Sequence, residues 1–222
     1  TATRPLANLA GPGSNPITRK AAVSALGRIG DRSVVDRLVP ALEETSLAEQ
    51  AALALLMLGD RRGIDFHGRA LSEGRTDLSG CPGEIVGRYG GSSHLLLLMN
   101  ASDGEDETAQ GAIRGLGLMG DPRAAPVLLK CLTRRDSTVV KLSAGALEIL
   151  TGHHEDIDTP GSKNRWKQWW EANGSRFQHG VRYREGRLFD AGLLLEHMAH
   201  ADAWSRRTAY DELVITSGSS LP

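Results

Sequence analysis

Aromatic residues are scarce in this chain, 5% of 222 positions, so its core cannot rest on large rings. Cysteine is scarcer still. Cys81 and Cys131 stand apart, outside any C-x-x-C pair, which argues for two reduced thiols rather than a disulfide framework or a zinc site. Long hydrophobic runs are missing: the stretch from Leu95 to Met99 falls far short of the roughly 20 residues a membrane-spanning helix needs. There is no excess of one charge either. A formal net charge of −1 gives no global pull toward nucleic acid or membrane. The H-E-x-x-H, G-x-S-x-G, Walker and dinucleotide-binding glycine patterns are absent too. These absences lead to the expectation of no enzyme site, no cofactor, no membrane contact and a cytoplasmic protein. No signal peptide is legible, but the chain opens at Thr1 rather than Met, which leaves a removed leader open.

Hydrophobic residues make up 40% and charged residues 24%, a globular composition long enough for one or two domains with a real core. Glycine is abundant, at 26 residues. Many small residues and few aromatics suit helices that pack closely.

A Gly-Asp step recurs as Gly30-Asp31, Gly59-Asp60 and Gly120-Asp121, with Gly90-Gly91 as a degenerate copy and Thr151-Gly152 as a fifth. The spacing is 29 to 31 residues throughout, and such a period marks a repeat architecture. Four residues before each step stand Leu26, Leu55, Val86, Leu116 and Leu147; one before stand Ile29, Leu58, Tyr89, Met119 and Leu150. Eight before are Ala22, Ala51, Ala112 and Ser143, with Pro82 as the exception. These offsets share one helical face. After the step, Val35, Ile64, Leu95 and Ala125 stand four on, Leu38, Leu98 and Leu128 seven on, and Ala41, Ala70, Ala101 and Cys131 ten on. That is a second helical face. Gly ends a helix in the left-handed conformation, and Asp caps the next one. Each unit therefore reads as first helix, tight turn, second helix, and stacking buries the apolar faces.

The segment from Gly120 to Leu129, with Asp121, Pro122 and Pro126, resembles the HEAT-like repeats of the phycobilisome-lyase type, as does Ala22 to Asp31. The resemblance spans roughly 16–151 and implies an all-α fold: an α-solenoid of about five HEAT-like helix pairs with a C-terminal helical capping module. It says little about function, since such repeats serve lyases, scaffolds and adaptors alike. Residues 73–83 are too rich in Gly and Pro for a full helix, so the third unit is irregular and its first helix starts near Pro82. A hinge, a binding loop and a tolerated insertion all fit. The acidic stretch from Asp103 to Glu107, which includes Glu105, is expected to cap the fourth first helix.

The expected organisation is a repeat region over 1–151, a linker over 152–162 and a Trp-rich module over 163–222. Trp166, Trp169 and Trp170 share a helical face in that module. Residues 176–187 read as an extended segment or loose hairpin. Asp190 caps a helix to about His200, and a last helix runs from about Ala203 to Thr216, with Ala209 and Leu213 at repeat spacing and Ser217-Gly218 where the step would stand. The Trp-Trp helix, the run Phe177, Gly180, Arg182, Tyr183, Gly186, Arg187 and the helix with Arg206, Arg207, Ala209, Glu212 and Leu213 together resemble an uncharacterised bacterial HEAT-repeat family often encoded near type VI secretion genes.

Several site readings compete. Asp36, Arg37, Arg61, Arg62, Asp65, Arg69, Arg123, Arg134 and Arg135 form a mixed-charge strip on the second helices, suited to a protein or peptide partner. Lys163, Arg165, Lys167, Arg176, Arg182, Arg184 and Arg187 interleave with aromatics and suit a nucleic acid instead, although three tryptophans at helical spacing are more simply core. His153, His154 and Asp156 crowd one loop and hint at a metal, against the simpler reading of a solvated polar loop. His197 and His200 share a face without a third ligand nearby. The leading expectation is a non-enzymatic protein-interaction module of adaptor, chaperone-like or immunity type. A nucleic-acid-binding solenoid is the alternative. A tetrapyrrole-lyase-like protein comes third and rests on the repeat resemblance alone.

Overall fold

The structure is a computed structural model that describes residues 2–104 and 106–217. Glu105 and Gly218 therefore lie outside the described residues. The all-α expectation holds: the described residues form thirteen α-helices and five short 3-10 segments, with only a pair of two-residue strands. They fall into two compact units, one of residues 2–67 with 190–217 and the other of residues 68–189.

The first unit holds α1 (Thr3–Leu9), α2 (Pro16–Ile29), α3 (Val35–Leu38), α4 (Ala48–Met57), most of α5 (Arg62–Ser72), α12 (Ala191–His200) and α13 (Ala203–Ser217). α2 starts at an Asn15 cap that accepts from the Thr18 N–H at 2.9 Å and ends at Gly30 with φ of 75°. The turn then works as the sequence requires. Asp31 accepts from the Ser33 N–H at 3.0 Å and opens the next helix. The second helix is short because Pro40 splits it from a 3-10 turn over Val39–Glu43. Val23, Leu26, Leu38, Ala51, Ala54 and Leu55 form the core between α2, α3 and α4. A Cβ on Gly27 would meet Ala54 Cα at 2.7 Å, so glycine sets the approach of α2 to α4. Asp190 caps α12 through the Leu193 N–H at 2.8 Å, and Ala209 and Leu213 of α13 are buried, as the repeat spacing implies.

The second unit holds α6 (Pro82–Tyr89), α7 (Leu95–Ala101), α8 (Glu107–Met119), α9 (Ala125–Cys131), α10 (Ser137–Thr151), α11 (Ser162–Asn173) and the strands β1 (Tyr183–Arg184) and β2 (Arg187–Leu188). Pro82 opens α6, as expected. Asp106 caps α8 by accepting from the Ala109 N–H at 2.8 Å. α6 and α8 cross backbone to backbone, because a Cβ on Gly83 or Gly87 would collide with the main chain at Gly111 or Gly115. The degenerate step departs from its siblings. Gly90 has φ of −76° and ψ of 155°, so α6 exits into extended chain, and Gly91 has no side chain with which to cap the next turn.

β1 and β2 form the hairpin hinted at by residues 176–187, with Glu185 and Gly186 at φ of 54° and 73° in its two-residue turn. The hairpin seals helix ends. The last carbonyls of a helix have no partner within it. Here Gly120 O accepts from the Tyr183 N–H at 2.8 Å, Ile149 O from the Glu185 N–H at 2.6 Å and Leu150 O from the Gly186 N–H at 3.1 Å. The ends of α8 and α10 are thereby closed by the same strand and turn.

Candidate functional site

The proposed partner strip divides between the two units. Asp36, Arg37, Arg61, Arg62 and Asp65 belong to the first; Arg69, Arg123, Arg134 and Arg135 belong to the second. Some of these side chains are already engaged. Arg62 grips the Asp60 carboxylate through Nε at 2.8 Å and Nη2 at 2.7 Å, while Asp60 caps the Arg62 N–H at 3.0 Å. That guanidinium holds the Asp60 carboxyl below its ordinary value, and Asp36 adds a favourable electrostatic interaction with Arg62. Arg123 repeats the clamp on Asp121, with Nη2 at 2.6 Å. Asp121 is only 3% exposed. Burial pushes its carboxyl up, but the hydrogen bonds from Arg123 outweigh burial and hold it below the ordinary range. Arg134 donates to Gly104 O at 2.5 Å and to Asp103 at 3.0 Å. The strip residues that face solvent without an ion pair among the described residues are Asp36, Arg37, Arg61, Asp65, Arg69 and Arg135.

The break in the repeat forms a cavity of about 320 Å³ in the second unit, lined by Leu71, Leu78, Ser79, Cys81, Thr108 and Arg114 among others. Its arginines are internally neutralised. Arg75 pairs with Asp77 at 2.7 Å and Arg114 with Glu84 at 2.5 Å, and Arg114 Nη2 lies 4.0 Å from Cys81 Sγ. The cavity thus offers hydroxyls, aliphatic walls and a half-buried thiol, but no unbalanced charge from these two arginines.

The basic tail is divided by burial. Arg184 is 7% exposed. Arg182 donates to Leu118 O at 2.9 Å, and Arg184 to the same carbonyl at 3.5 Å. Both guanidinium groups also lie over the Phe189 ring, at 3.8 and 4.5 Å from its centroid. Cations at the C-terminal end of α8 suit its dipole as well as its free carbonyl. Arg165 bonds to Glu155 at 2.7 Å, Lys167 lies 3.8 Å from Glu171, and Arg176 bonds to Asn173 at 3.3 Å. Lys163 and Arg187 are exposed.

The three tryptophans are not buried alike. Trp166 is 1% exposed, whereas Trp169 and Trp170 are half-buried. Trp169 and Trp170 pack against the cluster of Leu150, Phe177 and Tyr183. His153 stacks on Trp169 at 4.5 Å between centroids and lies 3.2 Å from Glu155. His154 turns the other way, to Glu148 at 3.0 Å, and Asp156 accepts from the Asp158 N–H at 3.1 Å. Among the described residues, no three His, Cys, Asp or Glu side chains gather as a metal-binding set. The His153 ring also meets Trp166 edge-on, at 5.0 Å between centroids.

A buried residue that the repeat pattern did not single out is His67. It is 0% exposed, and neither ring nitrogen has a hydrogen-bond partner among the described residues. The signal was in the sequence: His67 stands seven residues after Asp60, where the other copies have Leu38, Leu98 and Leu128.

Comparison with known proteins supports the repeat. Residues 93–159 match the HEAT repeats family, and residues 18–44 match the PBS lyase HEAT-like repeat. No curated protein matches the chain. A solved crystal structure described as an engineered protein is 17% identical, with 99% of this chain and 98% of that chain covered and a TM-score of 0.45. The two matched segments contain the steps at Gly30-Asp31 and Gly120-Asp121, so these two segments are similar to HEAT-type repeats. No helix among the described residues is long and apolar enough to cross a membrane.

Proposed function

We propose that this chain is a non-enzymatic protein-interaction module whose partner docks on the second helices of its repeats, in an adaptor, chaperone-like or immunity-type role. A link to secretion rests on the family resemblance alone. One observation carries the reading. The second helices turn buried positions such as Leu38, Ile64, Ala70 and Leu128 inward and carry Arg37, Asp65 and Arg69 in solvent, while Arg61 stands in the turn before α5 and Arg135 in the bend after α9, all five without ion pairs among the described residues. Charges of both signs, held on or beside short helices, suit a protein partner better than a polyanion. The polyanion reading has less support, since Arg182 and Arg184 serve the end of α8 and Arg165 serves Glu155. No specific observation favours tetrapyrrole chemistry.

The test is affinity capture with quantitative mass spectrometry, comparing the natural chain with Arg37→Glu/Arg61→Glu and Arg69→Glu/Arg135→Glu. A partner held by the natural chain and lost from either strip variant supports the reading. Equal capture by all three, or steeply salt-dependent binding to DNA that survives the strip changes, would remove it.

A further inference from the structure

A groove in the first unit shares no lining residue with the strip. It is about 530 Å³ in volume and runs between the end of α2 and the α12–α13 pair. Arg28, Arg206 and Arg207 stand on it, and Asp211 is its single carboxylate. Met198, Ala203 and Tyr210 supply the apolar part of its wall. Three guanidinium groups against one carboxylate leave two positive charges, in a chain whose formal net charge is −1. The positive potential is therefore local to the groove.

Internal contacts do not use up these cations. Arg207 Nε reaches Asp211 only at 4.0 Å, the outer limit of an ion pair. Arg206 donates to Ala201 O, a neutral acceptor, at 2.9 Å, and makes no ion pair among the described residues. Arg28, in the last turn of α2, is exposed and feels Asp211 electrostatically. Burial raises the Asp211 carboxyl despite the opposing pull of Arg207 and Arg28, so the floor is desolvated enough for charge interactions to be stronger than in open water. The apolar surface continues beyond the groove. Leu195 is 55% exposed and stands three residues before Met198 on α12, which puts the two on one face. Ile29, 41% exposed, follows Arg28.

We infer that this groove binds an acidic segment of a partner protein, one that sets two or more carboxylates around an aliphatic or aromatic side chain. The apolar side chain would lie against Met198 and Tyr210, and the carboxylates would meet Arg28, Arg206 and Arg207. Guanidinium groups suit carboxylates because their paired N–H donors match the two oxygens. This inference stands independently of the second-helix face, since none of its residues belongs to that strip.

The probe is a short fluorescein-labelled peptide that alternates glutamates with leucine and phenylalanine, read by anisotropy at low salt. The expected result is saturable binding that Arg28→Glu and Arg207→Glu each weaken by about tenfold or more and that rising salt weakens further. Circular dichroism establishes that each variant is folded. Met198→Glu leaves every arginine in place, yet is expected to lose binding as well, because it puts a carboxylate on the apolar wall. A matched peptide with glutamine for glutamate is expected to bind at least about tenfold less tightly. Four results would overturn the inference: no saturable binding, equal binding of the glutamine peptide, equal loss in the second-unit controls Arg176→Glu and Arg187→Glu, or stronger binding of a single-stranded oligonucleotide than of the peptide. Self-association abolished by Arg28→Glu would also overturn it, by assigning the groove to a second copy of this chain.

Discussion

Replacing His67 with leucine restores the residue type found at the same repeat position in Leu38, Leu98 and Leu128, each at most 1% exposed. Burial lowers the His67 pKa from 6.5 to about 4, against an opposing pull from the buried Glu49. The sign follows from which state holds the proton. The imidazole is neutral in the folded protein until the pH nears 4, whereas in the unfolded chain it takes up a proton below 6.5. Its contribution to stability is therefore complete above pH 6.5 and is lost as the pH falls toward 4. The gap between 6.5 and about 4, at about 1.4 kcal/mol per pH unit, comes to about 3 kcal/mol. His67→Leu should abolish that loss. At pH 7.5 the variant should also gain about 1–3 kcal/mol, because two unpartnered buried nitrogens disappear. Urea unfolding at pH 7.5, 5.5 and 4.5 measures both effects. Other groups that titrate in acid, Asp60 and Asp121 among them, are common to the two proteins and cancel in the difference. Parallel pH profiles for the natural chain and the variant would refute the reasoning, as would a variant less stable at pH 7.5.

Three further outcomes rest on packing and turns, each read by thermal or urea unfolding. Gly87→Val should destabilise by about 3 kcal/mol or more, because its side chain would enter the backbone of Gly115 and force α6 and α8 apart; a neutral result would show that the crossing is loose. Gly59→Ala should cost about 1–2 kcal/mol for its φ of 71° alone, and Gly120→Ala distinctly more, since its Cβ would also meet the Tyr183 carbonyl. Trp166→Phe should cost far less than Trp166→Ala, for which about 3–5 kcal/mol is expected, because the indole Nε1 has no hydrogen-bond partner to lose among the described residues.

The repeat was legible because its signals are local. A glycine at positive φ and an aspartate cap act within three or four residues, so a period near 30 exposes the helix pairs directly. Gly90-Gly91 kept the spacing but not the geometry, since without the aspartate there is no side-chain cap to fix the turn. The hairpin's partners were not legible. Tyr183 meets Gly120 across more than sixty residues, and nothing local announces such a pairing. For the same reason Arg182 and Arg184 read as free cations, although the structure places both against the Leu118 carbonyl. The tryptophans were found as a group, yet their unequal burial was not, because it depends on tertiary contacts: Trp166 meets the His153 ring edge-on, whereas Trp169 and Trp170 pack on Leu150, Phe177 and Tyr183. The groove at Arg28 joins residues from the two ends of the chain, and single-sequence spacing carries no record of that.

The hairpin that closes α8 and α10 also sets which amides can open together. The N–H groups of Tyr183, Glu185 and Gly186 lie in a segment with little regular structure, where rapid hydrogen exchange would ordinarily be expected. Each donates instead to a carbonyl at or near the end of a long helix. Those amides can exchange only when the helix ends separate from the strand, so their protection should track that of α8 and α10 and not that of the flanking loop. The last stretch of the second unit thus joins two helices distant in sequence into one cooperative element, and local fraying at either helix end is resisted by the other.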